Sequence, residues 1–151
     1  MPTLSTKGTT KLVDGVREAM SLVEARKNWY KETGQPYLRP WIILITDGAP
    51  DDDQDVRGLA SEIERATKNK KFVFLPIGVQ DADMYSLNQI AGYTKNSSSN
   101  WVKMHPMKLQ GLQFADFFQW VSASMSVVAA SKDGDKVNLP DPSEWMEGFQ
   151  I

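Results

Sequence analysis

With 151 residues, no cysteine and a formal net charge of −2, the chain has the length of one domain and a composition, 41% hydrophobic and 24% charged, that is ordinary for a globular fold. The lack of cysteine excludes disulfides, thiol catalysis and thiolate metal sites, and the lack of a dominant Lys/Arg cluster argues against nucleic acid as a partner. The opening Met-Pro-Thr-Leu-Ser-Thr-Lys-Gly has no apolar core for a signal peptide, and no apolar stretch approaches the ~18 residues of a membrane span, so the expectation is a cytoplasmic protein without membrane contact.

Residues 1–10 read as a loop in which Thr9 or Thr10 caps a following helix. That helix is predicted over Lys11 to Lys31. Its apolar stripe is Leu12, Val16, Ala19, Met20 and Val23, and Asp14, Arg17, Glu24 and Lys27 fall on the wet face. Thr33-Gly34-Gln35-Pro36 ends it. Five apolar residues then run unbroken from Trp41 to Ile45 between Pro40 and Gly48. Such a run reads as a strand buried on both faces, with Asp47 delivered at its carboxyl end. Open α/β sheets bind ligands outside those ends.

Asp51-Asp52-Asp53-Gln54-Asp55 reads as a helix amino terminus, where carboxylates cap free amides and meet the positive end of the dipole. Its helix carries Val56, Leu59, Ala60, Ile63 and Ala66, with Lys68, Lys70 and Lys71 at the carboxyl end. Phe72 to Val79 is a second buried strand, and Pro76 marks an edge, a bulge or the strand's end. Asp81 to Ala91 is a short helix stopped by Gly92, and Lys95 to Asn100 is a polar loop. Trp101 to Met104 is the third strand. A last helix over Leu112 to Ala130 shows Leu112, Phe114, Phe117, Phe118, Val121 and Met125 on one wide face. The tail after Ser131 is expected to be irregular, with Trp145 and Phe149 docking. This alternation predicts a three-layer α/β domain over residues 1–130 with a tail over 131–151, and no second domain.

Ile-Thr-Asp-Gly-Ala-Pro, from Ile45 to Pro50, together with Gly8-Thr9-Thr10-Lys11-Leu12 and Ile77-Gly78-Val79, resembles the von Willebrand factor A (VWA) family. The variant resembles bacterial tellurium-resistance-type VWA proteins, and Val137-Asn138-Leu139-Pro140 suits them too. The resemblance implies a Rossmann-like, mostly parallel sheet and a metal-ion-dependent adhesion site. On that likeness the site's threonine falls on Thr10, with Thr9 as the alternate, and its aspartate on Asp47. The site's Asp-x-Ser-x-Ser motif does not occur in this sequence. The chain therefore matches the later part of the family fold, and the resemblance places the unmatched first strand beside Trp41–Ile45.

Two consequences follow from that departure. Thr10 and Asp47 would hold Mg²⁺ (or Mn²⁺ or Ca²⁺) weakly or not at all, because a hard cation asks for near-octahedral oxygen coordination. The strand at 41–45 would also present an apolar edge, which predicts self-association or a complementing chain.

On pattern alone, Asp47 is a turn carboxylate before Gly48, and on the resemblance it is a metal ligand; Thr10 is a helix cap or a ligand. The acidic run 51–55 reads first as a solvated helix start. His105, the only histidine, reads as a loop residue. The leading function is a non-enzymatic protein-binding module of VWA type, set by resemblance in bacterial stress or tellurite resistance, that meets a protein partner through the metal-site face. The alternative is an Mg²⁺-dependent phosphotransfer domain, receiver-like or haloacid-dehalogenase-like, with Asp47 as acceptor. That chemistry needs a nearby lysine. Lys103 lies inside a strand and Lys108 beyond it.

Overall fold

The computed structural model describes residues 11–109, 113–131, 139 and 146–147. The first helix, α1, spans Leu12–Glu32, and Gly34 closes it at a φ of +68° that suits glycine. Strand β1 is Trp41–Thr46, α2 is Val56–Lys68 and β2 is Val73–Gly78. Helix α3 covers Met84–Ile90. Three short strands follow: β3 over Tyr93–Lys95, β4 over Trp101–Lys103 and β5 over Met107–Leu109. Helix α4 is Phe114–Ala130, and β6 is Met146–Glu147.

Among the described residues the main sheet has the order β1-β2-β5-β6, with β1, β2 and β5 parallel and β6 antiparallel to β5. Side chains alternate across it. Ile42, Leu44 and Phe74 join α1, α2 and α3 in one core. Trp41, Ile43, Ile45, Leu75 and Ile77 join α4 in the other, where the Trp41 and Trp120 rings lie 6.2 Å apart. Helices thus cover both faces of a mostly parallel sheet, as the alternation of elements predicts.

The structure corrects several readings. Only Ile42 of β1 is buried, and among the described residues β1 stands at the end of the sheet order, so its other residues are covered less. Pro76 sits inside β2, opposite Leu44, rather than at its end. The Val73 amide donates to Pro40 O and the Val79 amide to Thr46 O, so odd-numbered residues of β2 bond to β1 and even-numbered ones face β5. Pairing with β5 begins only at Ile77, so the amide that Pro76 lacks has no ladder bond to make.

The third strand of the sheet is β5, not Trp101–Lys103. The latter pairs antiparallel with β3 in a separate two-stranded hairpin. The polar loop is its turn, where the Asn96 side chain accepts from the Ser98 and Asn100 amides at 3.0 Å each. Gly92 does not stop α3 by a left-handed conformation. Ala91 is the cap, and Gly92 is small because a Cβ there would stand 2.8 Å from Thr67 Cγ2.

On α4 the buried positions are Phe117, Trp120 and Ser124, whereas Phe118 is 56% exposed, so the inward stripe is rotated from the one predicted. The wet face assigned to α1 loses Arg17 and Lys27, which reach α2's Glu62 and the Lys71 carbonyl. The tail holds β6, contrary to the expectation of irregular chain, and Leu139 packs on the α4 core. Thr9, Thr10, Leu112, Trp145 and Phe149 lie outside the described residues, as does Val137-Asn138 and Pro140. No helix among the described residues is long and apolar enough to cross a membrane.

Candidate functional site

The carboxyl ends of β1 and β2 lie level, with Thr46 in register with Gly78. The loop after β1 is fixed at two points. The Val79 amide donates to Thr46 O at 2.9 Å, and the Asp83 amide donates to Gly48 O at 3.3 Å. Between them the Gly48 amide donates to Thr46 Oγ1 at 3.2 Å. Asp47 stands between these anchored residues with its side chain exposed. A held backbone thus presents one carboxylate to solvent, at the place in an open α/β sheet where ligands bind.

The neighbouring acids have other work. Asp55 is the N-cap of α2, its carboxylate accepting from the Gly58 amide at 2.9 Å and from Arg17 at 3.3 Å. Those donors, the Gly58 amide first, hold its carboxyl below the usual range. A Cβ at Gly58 would run into the Asp55 carboxylate, so a larger residue there would turn the capping side chain aside. Asp83 caps α3, accepting from the Ser86 hydroxyl at 2.6 Å and the Tyr85 amide at 3.1 Å, and the Ser86 hydroxyl is the main cause of its lowered pKa. Asp53 lies 4.0 Å from Lys11 in an exposed pair.

Gln54, which the sequence did not single out, binds the start of α1. Its Oε1 accepts from the Val13 amide at 3.1 Å and the Asp14 amide at 3.3 Å. It thereby satisfies free donors at the start of α1, whose N-cap is Lys11 rather than Thr9 or Thr10 and has no side-chain cap bond of its own. The acidic run is therefore a connector between α1 and α2. Only its last residue is the helix cap that the sequence predicts.

An acid titration tests this assignment. A carboxyl whose folded pKa is depressed stabilises the fold above the unfolded value of about 3.9, and that contribution is lost as pH falls through the lower folded value. Urea midpoints measured from pH 7 to pH 2 should therefore fall less steeply below about pH 4 in Asp55→Asn and Asp83→Asn, which keep a capping oxygen, than in the parent. Curves parallel to the parent's would contradict the capping roles.

Of the two predicted ligands, Asp47 follows β1 directly with its side chain exposed, and Thr10 lies outside the described residues. Among the described residues no three Asp, Glu or His side chains converge. A single exposed carboxylate does not fit the six-oxygen shell that Mg²⁺ requires. Lys103 is on the β3–β4 hairpin and donates to Gln89 O at the far end of α3. Lys108 is placed differently from the sequence reading. It lies inside β5, in register with Gly78, and so two strands across from Thr46, roughly 10 Å away. His105 is an exposed loop residue, as predicted.

No curated protein and no solved structure matches the chain. The family model described as von Willebrand factor type A domain matches residues 2–114. The parallel sheet covered by helices on both faces agrees with the Rossmann-like fold of that family. With the match running through most of the 151 residues and through the strand that carries Asp47, the chain belongs to the von Willebrand factor type A domain family.

Proposed function

We propose that the chain is a non-enzymatic protein-binding module whose contact face is the carboxyl end of the sheet around Asp47. Domains of this family are in general protein-interaction modules, which supports the class. The observation that carries the site is the exposed Asp47 carboxylate on a backbone pinned at Thr46 and Gly48. A group held in place before binding loses little freedom on binding, so it serves as an anchor at small entropic cost.

A basic or hydrogen-bond-donating group on the partner suits this carboxylate. Mg²⁺ or Mn²⁺ at this face would be held weakly or not at all, because Asp47 alone does not supply an octahedral oxygen shell. The setting proposed is bacterial stress or tellurite resistance, supported by the Ile-Thr-Asp-Gly-Ala-Pro likeness.

The test is affinity capture from the source cell with the parent chain and Asp47→Ala. A specific protein retained by the parent should be depleted at least tenfold from the variant, the loss expected for a charged contact worth about 1.4 kcal/mol. EDTA should reduce capture less than Asp47→Ala does. Identical captures from the two chains would overturn the assignment of this face. Phosphoryl acceptance at Asp47 is separated by intact mass after incubation with acetyl phosphate and Mg²⁺, where no added phosphoryl group is expected.

A further inference from the structure

Helices α1 and α2 are tied together at two levels and leave a pocket between the ties. Near their starts, Arg17 donates to both oxygens of Glu62, at 3.0 and 3.2 Å, and to Asp55. Further along, Lys27 of α1 donates to the Lys71 carbonyl, just beyond α2, at 3.2 Å. The pocket between them holds about 370 Å³. Its apolar lining is Met20, Ala66 and Phe72, the last two buried. Two short side chains, Ser21 of α1 and Ala66 of α2, stand where larger residues would fill the space. The ties fix the spacing of the walls in advance, so a ligand would meet a preformed pocket.

The charge around this pocket is opposite to that of the chain. The whole chain carries −2, whereas the ionised groups of the walls and their ties are four cations, Arg17, Lys27, Arg65 and Lys71, to two anions, Glu24 and Glu62. Both anions have a cation of their own: Glu62 is bound by Arg17, and Glu24 has Lys27 at 4.0 Å. The carbonyls nearby are taken as well. Ala66 O accepts from the Lys71 amide, Thr67 O and Phe72 O from Arg39, and Lys71 O from Lys27. Among the described residues the side chains of Arg65 and Lys71 make no hydrogen bond or ion pair. Two cationic donors that the fold does not use therefore border an apolar lining.

We infer that this pocket binds a small organic anion, its carboxylate or phosphate head held by Arg65 and Lys71 and its apolar body lying against Met20, Ala66 and Phe72. A guanidinium meets such a head with two parallel hydrogen bonds, and a lysine adds a point charge. Exposed charges alone bind weakly, so burial of the body supplies much of the affinity. The volume lies near the lower end of ligand-sized pockets, roughly 300–1,000 Å³, which limits the body to about two rings. Phe72 precedes β2, whereas Asp47 follows β1, and the two strands are parallel with Trp41 beside Val73. The pocket is thus at the opposite end of the sheet from Asp47, and the inference does not rest on the reading of that face.

Amide chemical-shift mapping with four probes of one shape is the test: naphthoate, naphthyl phosphate, naphthalenemethanol and naphthylmethylammonium. Both anions should shift the amides of Ala66, Asn69, Lys71 and Phe72 saturably, and the tighter of them names the head group. The alcohol should bind at least tenfold more weakly than the anions, and the ammonium more weakly still, because the head is held by charged hydrogen bonds. Arg65→Gln combined with Lys71→Gln should weaken the anions at least tenfold and change the alcohol by less than about twofold. Both positions are exposed, so the far-UV circular dichroism should stay as in the parent. Ser21→Trp, also exposed, should fill the pocket and abolish the shifts. Asp47→Ala should leave them intact. Absence of saturable shifts from either anion overturns the proposal. So does an ammonium that binds as well as the anions, or anion affinity that survives Arg65→Gln with Lys71→Gln.

Discussion

Replacing Phe74 by alanine should lower the free energy of unfolding by about 3–5 kcal/mol, the range for deleting a large buried ring. Phe74 is fully buried on β2, the strand paired on both sides, and it shares a core with Val16 of α1, Leu59 and Ile63 of α2, and Leu87 and Ile90 of α3. Three helices therefore lose contacts at once, and none can close the cavity without leaving its own place over the sheet. A domain of this size has only about 5–15 kcal/mol in total, so the variant should be partly unfolded at physiological temperature. Urea denaturation followed by circular dichroism measures the loss. Phe118→Ala is the matched control: the ring is 56% exposed, and its removal should change stability by no more than about 0.5 kcal/mol. If Phe74→Ala cost less than about 1 kcal/mol, the three helices would not share one core over β2.

What the sequence revealed follows the range over which its signals act. The Trp41–Ile45 run, Pro40 and Gly48 are contiguous, so β1 and the site of Asp47 were legible from one stretch. The second strand and α2 were legible for the same reason, through the apolar stripe of Leu59, Ile63 and Ala66. Strand β5 was not, because Met107, Lys108 and Leu109 offer one alternation, too short to separate from chance, while Trp101–Lys103 looked more strand-like and went to the hairpin. The edge, bulge and strand-end readings of Pro76 stay open in sequence, which does not show to which neighbour a residue's amide turns; the structure selects the locally unpaired, edge-like one. Gln54 was missed because the amides it binds lie 41 and 40 positions away in the chain. The acids at 51–55 were legible as a cluster, but their separate partners were not. A carboxylate looks the same in sequence whether it caps a helix, as Asp55 does, or stands in solvent, as Asp47 does.

Gly92→Ala should cost about 1–3 kcal/mol, the range for overpacking, and Thr67→Ser should take most of that cost away. Thr67 is buried near the end of α2. Its hydroxyl donates to Ile63 O at 2.8 Å and accepts from the Tyr93 amide at 3.0 Å, so it ties α2 to the first strand of the hairpin. The added Cβ at Gly92 would stand 2.8 Å from Thr67 Cγ2, whereas Thr67 Oγ1 and Cβ are at 3.4 and 3.5 Å, ordinary contacts. The clash is thus with one methyl group. Serine deletes that methyl and keeps both hydrogen bonds. In a double-mutant cycle the two substitutions should therefore couple by about 1 kcal/mol or more in the favourable sense. Thr67→Val gives the converse. It keeps the methyl and loses the hydroxyl, leaving the Tyr93 amide without its acceptor at a cost of about 1–3 kcal/mol, and it should not rescue Gly92→Ala. Urea midpoints of the four chains in the cycle and of the two valine variants decide the matter. Additive costs for Gly92→Ala and Thr67→Ser would mean that the hairpin moves off α2 to admit the methyl group. Contact between Gly92 and Thr67 would then not be what seats the hairpin on the helix.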